Sequence, residues 1–314
     1  MTKRIVIGAC MMALAASSMF AAKNKGGKVL NIYVWNDEFP ARFNDFYASK
    51  NPKLLEGVKV NFIQTPNQDN AYQNKLDEAL MNQANAKDDE KVDIFCVEAD
   101  YALKYVDTAY TLDVMKDVGL KKKDVANQYQ YTKDIVTDSK GKLKGVSWQS
   151  TPGGFVYRRS YAKEVLGTDD PAKVQAMLSD WDKFDAVAAK MKEAGYFMLS
   201  GYDEDFRAFQ DNVKSPGVKG NKITIDQQIN RWIEQTKTYS EKGYNNKASL
   251  WSAESTQGMM KNGKVFGYFA VGWFFDFCMP HGDGSAEGDW AICEGPQGFS
   301  WGGTWICGAA GSDN

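Results

Sequence analysis

A single histidine, His281, and five cysteines with no C-x-x-C spacing leave this 314-residue chain without the usual zinc-ligand pattern. One histidine also makes a Ser-His-Asp triad hard to assemble, and no P-loop or G-x-G-x-x-G follows a strand-like run. His281 itself lies in the turn-rich loop Met279–Gly284, which reads as solvated. No charge of one sign dominates. Lys and Arg number 38 against 40 Asp and Glu, a formal net charge of -2, so nothing electrostatic draws the chain to nucleic acid. The triplet Lys121, Lys122 and Lys123 reads as a solvated helix start. Beyond residue 22 no apolar run is long enough to span a membrane. Repeats at a solenoid period and low-complexity linkers are missing too.

What is present begins at the N-terminus. Lys3 and Arg4 precede an apolar run from Ile5 to Ala16, followed by small residues to Ala22 and then Lys23. This is the three-part layout of a secretory signal, expected over residues 1–22 with cleavage near Ala21 or Ala22. An alternative is a lipoprotein, because Ile7-Gly8-Ala9-Cys10 resembles a lipobox with Cys10 as the acylated residue. Either way the chain is expected to be exported, to the periplasm or the outer face of the cytoplasmic membrane. In that setting Cys293 could pair with Cys307, or the thiols could stay free.

Strand-like and helix-like segments then alternate. Lys28 to Trp35, Val58 to Gln64 and Val92 to Val97 predict strands. Phe39 to Lys50, Ala71 to Ala86 and Tyr101 to Val106 predict helices. This βαβαβ order implies a mostly parallel sheet. Gly145 to Tyr157 predicts two short strands broken by Pro152, Gly153 and Gly154. After it come helices at Trp181 to Ala194, with Ser179 or Asp180 as cap, at Asp226 to Lys242 and at Ser255 to Lys261. Val265 to Val271, Trp290 to Glu294 and Trp305 to Gly308 predict late strands.

Aromatics gather where such a fold binds ligands. Four of the nine tryptophans, Trp35, Trp148, Trp273 and Trp301, sit at predicted strand ends or in Gly-rich loops. Ligands of open α/β sheets bind beyond the carboxyl ends of strands. An indole face there, with Asn36, Asp37 or Gln149 beside it, suits a polyhydroxylated ring. The plainer reading is core aromatics at element ends. Acids follow two predicted strands: Glu98 and Asp100 after one, Asp203, Glu204 and Asp205 after another, with Tyr202 and Arg207 alongside. They could cap helices, bind hydroxyls or serve a glycosidase as acid and base.

Five motifs occur in a distinctive order: V-L-N-I-Y-V-W-N-D-E, V-D-I-F-C-V-E-A-D-Y-A-L-K-Y, G-V-S-W-Q-S-T-P-G-G-F-V-Y-R-R-S, F-G-Y-F-A-V-G-W-F-F and W-A-I-C-E-G-P-Q-G-F-S-W-G-G-T-W. Together they make the chain resemble the extracellular solute-binding proteins of carbohydrate ABC importers, the group typified by maltose-binding protein. The resemblance implies an α/β, two-lobed periplasmic-binding-protein fold with a hinge, truncated here at its C-terminus. Lobe 1 would be 28–145 plus 290–314 and lobe 2 would be 146–289. The implied protein is a monomer and not an enzyme. It needs no cofactor or metal, takes a carbohydrate ligand and meets a membrane permease. The implied ligand contacts are Trp35, Asn36, Asp37, Glu98 or Asp100, Trp148, Gln149, Trp273 and Trp301. Tyr202 and Asp205 join them from the second acidic cluster. Rivals are a glycoside-active enzyme using the paired acids, and a sensory or polyamine-binding protein of the same fold.

Overall fold

The structure, a computed structural model, describes residues 27–314. The expected signal segment and Cys10 lie outside the described residues. The chain divides into two compact units: unit 1 runs to Trp148 and is completed by Thr304–Asn314, and unit 2 is Gln149–Gly303.

Unit 1 is built on strands β1 (Val29–Val34), β2 (Lys59–Gln64), β3 (Ile94–Glu98) and β4 (Gly145–Ser147), with the last strand of the chain, β12 (Thr304–Gly308). The order is β2-β1-β3-β12-β4. β1 is parallel to β2 and β3, as the βαβαβ pattern predicts, while β12 runs antiparallel to β3 and β4. Alternate residues point to opposite faces of a strand. Tyr33, Phe95, Val97, Trp305 and Cys307 thus pack in one apolar cluster, and Ile32, Val34 and Cys96 pack in another. Asn31 is buried yet satisfied, its amide donating to the Asp89 and Lys91 carbonyls.

Helices α1 (Glu38–Arg42), α2 (Ala71–Met81), α3 (Leu103–Val106) and α4 (Gln130–Asp134) complete this unit. The segment predicted as one helix from Phe39 continues past α1 as a π-helix, Phe43–Ala48, and stops before Pro52 as expected. α2 ends five residues before Ala86. Beyond it the Gln83 amide pairs with both the N–H and the carbonyl of Val92, which fixes the turn toward β3. Tyr72 seats α2 on the sheet, its hydroxyl donating to the Cys96 carbonyl at 2.6 Å.

Unit 2 contains β5 (Gly153–Arg158), β6 (Leu199–Gly201), β7 (Val218–Lys219), β8 (Lys222–Ile223), β9 (Asn245–Ala248), β10 (Gly267–Val271) and β11 (Trp290–Cys293). β5 lies between β10 and β11, antiparallel to both, and β6 pairs parallel with β9. Its helices are α5 (Arg159–Leu166), α6 (Pro171–Leu178), α7 (Trp181–Glu193), α8 (Phe206–Gln210), α9 (Gln227–Lys242), α10 (Ala253–Gly258) and α11 (Gly272–Phe277). Of the two candidate caps for α7, Asp180 holds the position, accepting from Lys183 N–H at 2.9 Å. The core is aromatic: Trp181 stacks on Phe209 at 4.1 Å and Phe155 meets Phe184 edge-on at 5.0 Å.

Three expectations are corrected here. Gly153 and Gly154 do not break a strand; they belong to β5. A β-carbon at Gly153 would run into the Phe299 ring, and one at Gly154 would come within 2.7 Å of the Cys293 carbonyl, so only glycine fits. The return to unit 1 falls at Thr304, not at residue 290, because β11 pairs with β5 from Trp290 to Cys293. The motif Gly272-Trp273-Phe274-Phe275, expected as the end of the strand from Val265, instead forms the start of α11.

Arg158 explains why β11 stays in unit 2. Its side chain is nearly buried, bonds Asp289 through Nε at 2.7 Å, donates from Nη1 to the Met260 carbonyl at 3.2 Å, and covers the rings of Tyr161 and Trp290. Lysine keeps the charge but not the planar fork or the stacking. Arg158→Lys is expected to cost about 2 kcal/mol, read as a lower urea midpoint with an unchanged slope. An unshifted midpoint would assign β11's placement to apolar packing alone.

Candidate functional site

In unit 1 the expected contacts occupy strand ends, and most are held locally. Trp35 follows β1, half-buried, with its ring edge-on to Tyr72 at 5.4 Å and to Tyr101 at 6.3 Å. Asn36 turns its side-chain oxygen to the Glu38 N–H at 3.2 Å. Asp37 is exposed at the start of α1 and caps nothing with its side chain. Glu98, at the end of β3, accepts from the Asp100 N–H at 2.8 Å, and Asp100 is exposed. Trp148 stacks on Phe39, with centroids 5.1 Å apart, while its indole nitrogen is buried without an acceptor.

Trp35, Asn36 and Trp148 come together with Val34, Phe39, Cys96 and Thr304 around a narrow crevice that leaves no room for a water molecule, and so none for a sugar ring in this conformation. A larger polar groove of about 500 Å³ along α2 is lined by Tyr33, Lys75, Glu78 and Glu90. It contains none of the candidate residues.

Gln149 opens unit 2, and the stronger aromatic surface lies in that unit. Trp273, half-buried, is carried on α11 directly after β10. Its indole N–H donates to the Trp301 carbonyl at 3.1 Å, and the two rings meet edge-on at 4.8 Å. Trp301 is only 6% exposed, so it supports the surface more than it presents one. The Arg207 guanidinium lies over the Trp301 ring at 5.4 Å. A third indole completes the group. Trp251 is 65% exposed, nearly parallel to Trp273 (14° between planes, centroids 6.3 Å apart) and 5.7 Å from Trp301. Sequence reasoning missed Trp251. It follows the short polar strand β9, where no apolar alternation marks a strand end.

The second acidic cluster is not an accessible pair. Tyr202 is exposed, but Glu204 and Asp205 are 1% and 2% exposed. Asp203 serves structure, its carboxylate accepting from the Leu250 N–H at 3.0 Å. Asp205 begins α8 without capping it by its side chain. Burial pushes its carboxyl up to about 7, only partly offset by its own N–H and the Trp232 indole. Burial raises Glu204 well above the usual carboxylate range, with Asp203 and Asp205 adding to the effect. Both Glu204 oxygens lack a hydrogen-bond partner. The expected role of Asp205 as a solute contact therefore finds an interior carboxyl.

The string Gly298-Phe299-Ser300-Trp301-Gly302 has the G-x-S-x-G spacing of a serine-hydrolase elbow, against the expectation from the sequence that no such elbow occurs. An elbow needs a strand-to-helix turn. This segment instead bridges Pro152 and leads into a strand, β12. His281 is on an exposed loop, 2.9 Å from the Phe275 carbonyl. The four cysteines among the described residues are free. Cys96 faces one apolar cluster and Cys307 the other, and Cys293 belongs to unit 2. Among the described residues, no group of three or more His, Cys, Asp or Glu could hold a metal, and no helix is long and apolar enough to cross a membrane.

A split α/β chain that leaves one unit, completes a second and returns for a final strand defines the class of two-lobed solute-binding folds. The chain belongs to the family described as bacterial extracellular solute-binding protein, whose profile matches residues 41–314. Solved structures share the fold at low identity. One is a crystal structure of an extracellular solute-binding protein family 1 member (TM-score 0.72, 18% identity, covering 90% of this chain and 71% of that one). Another is the galacto-N-biose/lacto-N-biose I-binding protein of an ABC transporter from Bifidobacterium longum, in complex with lacto-N-biose (0.66, 16%, 90% and 71%). A third is the sugar-binding protein MalE from Xanthomonas citri (0.64, 17%, 90% and 71%). No curated protein matches the chain.

Proposed function

We propose that the protein is a non-catalytic receptor that captures a saccharide outside the cytoplasmic membrane and delivers it to the permease of an ABC importer, acting as a monomer. The observation that carries this reading is the tryptophan surface of unit 2, where Trp273 stands half-buried beside exposed Trp251 on a buried Trp301. The C–H face of a pyranose stacks on an indole, and the ring hydroxyls take hydrogen bonds at its rim. Solved relatives of the fold bind saccharides, among them lacto-N-biose in the Bifidobacterium longum protein. The buried state of Glu204 and Asp205 argues against one of the two acid pairs as hydrolytic machinery, while Glu98 and Asp100 lie nearer solvent. A glycosidase needs two carboxyls reaching the substrate, and this pair is interior.

The test is a thermal-shift screen of the purified protein against mono- and oligosaccharides, with amino acids and polyamines as controls. Ligand at 100 times its dissociation constant stabilises by about 2.7 kcal/mol, an easily visible shift. A shift with one saccharide class, and the same saccharide recovered unchanged, supports the receptor. A shift with a polyamine alone, or a hydrolysed sugar, overturns it.

A further inference from the structure

We propose that the hairpin β7–β8 of unit 2 docks on the anionic headgroup layer of a lipid bilayer. A receptor that delivers to a membrane permease works beside such a surface. Three lysines, Lys214, Lys219 and Lys222, and no acid lie between Asp211 and Asp226, in a chain whose net charge is -2. Every residue from 214 to 223 is exposed. Ile223 is 86% exposed, more than any other large apolar side chain among the described residues, and Val218 and Ile225 are 61% and 58% exposed. Single exposed apolar residues are ordinary. Three so close together, with lysines interleaved, make an amphipathic surface.

The register separates the two chemistries. Val218 pairs with Ile223, and Lys219 with Lys222, across the hairpin. Directly paired side chains share a face, and neighbours along a strand alternate, so one face is apolar and the other cationic. Like charges held opposite each other repel. Among the described residues no carboxylate lies within ion-pair distance of Lys219 or Lys222 to relieve that repulsion. An acidic protein face could meet the lysines but would leave Ile223, on the opposite side, in water. A headgroup layer surrounds an inserted hairpin. The apolar face then sits at the acyl boundary while the lysine stems reach the phosphates.

The hairpin is also shaped in advance. A two-stranded ribbon is marginal on its own. Here the Asp226 carboxylate accepts from the Lys214 N–H at 3.1 Å and the Ser215 N–H at 2.9 Å, and from the Gln228 N–H at 2.8 Å where it caps α9. Thr224 closes the base, its N–H donating to the Gly217 carbonyl at 2.9 Å and its hydroxyl to the Pro216 carbonyl. At the tip Gly220, with φ +63°, opens the two-residue turn Gly220-Asn221. Little order remains to be lost on docking.

The experiment is vesicle co-sedimentation of the chain from Lys23 onward, so that the apolar run Ile5 to Ala16 cannot supply the affinity. The probes are vesicles of pure phosphatidylcholine, vesicles carrying about 30% phosphatidylglycerol, and soluble polyglutamate, at about 25 mM salt so that screening stays weak. Binding to the phosphatidylglycerol vesicles is expected to be about 100-fold tighter than to the neutral ones, about fivefold for each lysine. Lys219→Gln combined with Lys222→Gln should weaken it by about 25-fold. Ile223→Ser should weaken vesicle binding by about 10-fold and leave polyglutamate unchanged. These side chains are exposed, so each variant should keep the wild-type urea midpoint. No binding to the phosphatidylglycerol vesicles, equal binding to the neutral ones, or full binding by the lysine variant overturns the proposal. Polyglutamate bound as tightly as the vesicles, with Ile223→Ser unchanged on both, assigns the hairpin to an acidic protein and overturns the lipid occupant. Saccharide capture stands or falls separately, by the thermal-shift screen.

Discussion

Trp273→Ala is expected to weaken saccharide binding by about 100-fold, near 2.7 kcal/mol, while the protein still folds. A tryptophan buries about 150–250 Å² when fully covered, and at about 25 cal/mol per Å² half of that area supplies the expected loss. The same side chain also has structural contacts, which sets how the experiment must be read. Its N–H is bound to the Trp301 carbonyl and its ring abuts Trp301 and Phe274. The alanine variant should therefore also lose about 1–2 kcal/mol of stability. Titration calorimetry gives the affinity and urea unfolding gives the stability, on one preparation. Trp273→Phe separates the two effects, since it keeps a stacking face and loses the indole N–H. Its affinity should fall less than that of alanine. Unchanged affinity in a folded Trp273→Ala protein would make Trp273 a core residue and move the candidate site elsewhere.

Much of unit 1 could be read from the sequence because local pattern and tertiary outcome agree there. Val29–Val34 alternates between two buried faces, and β1 falls where its apolar run predicts. The helix expected at Trp181 begins there, because Asp180 caps it and Trp181, Phe184 and Met191 share its buried face. Other features depend on partners distant in sequence. Trp290–Cys293 reads as a strand in either unit; only its pairing with β5, fixed by Arg158 and Asp289, assigns it. The same limit affected the site. Trp273 and Trp301 follow strand or glycine signals, which is what makes them candidates in the sequence. Trp251 lies between the short polar strand β9 and the short helix α10, and its value as a surface appears only with its packing near Trp273 and Trp301. Asp205 shows the opposite error. The D-E-D run reads as helix caps or ligand contacts, yet packing of α8 and α9, including Trp232 against Phe206, encloses Asp205.

That enclosed carboxyl gives the second large effect. Asp205 has an ordinary value of 3.8 and is pushed up to about 7 in the folded chain, chiefly by burial. As pH rises past 3.8 the unfolded chain gives up this proton while the folded chain keeps it. The folded state then binds more protons, so stability falls as pH rises. The stabilisation is complete below the unfolded value and is lost by about pH 7, a total of about 4 kcal/mol at 1.36 kcal/mol per pH unit. Glu204, also raised by burial, adds a decline in the same direction starting near its ordinary value of 4.5. Exposed carboxylates held by hydrogen bonds, such as Asp226, are lowered and act oppositely at more acid pH. The Asp205 contribution is therefore isolated as the difference between the wild type and Asp205→Asn, an uncharged near-isostere. Urea unfolding of both proteins from pH 4 to pH 8 should show the wild type losing stability relative to the variant over that interval. The difference should level off above about pH 7. Parallel profiles would mean that Asp205 reaches water in solution, and the α8–α9 packing that encloses it would have to open to let that happen.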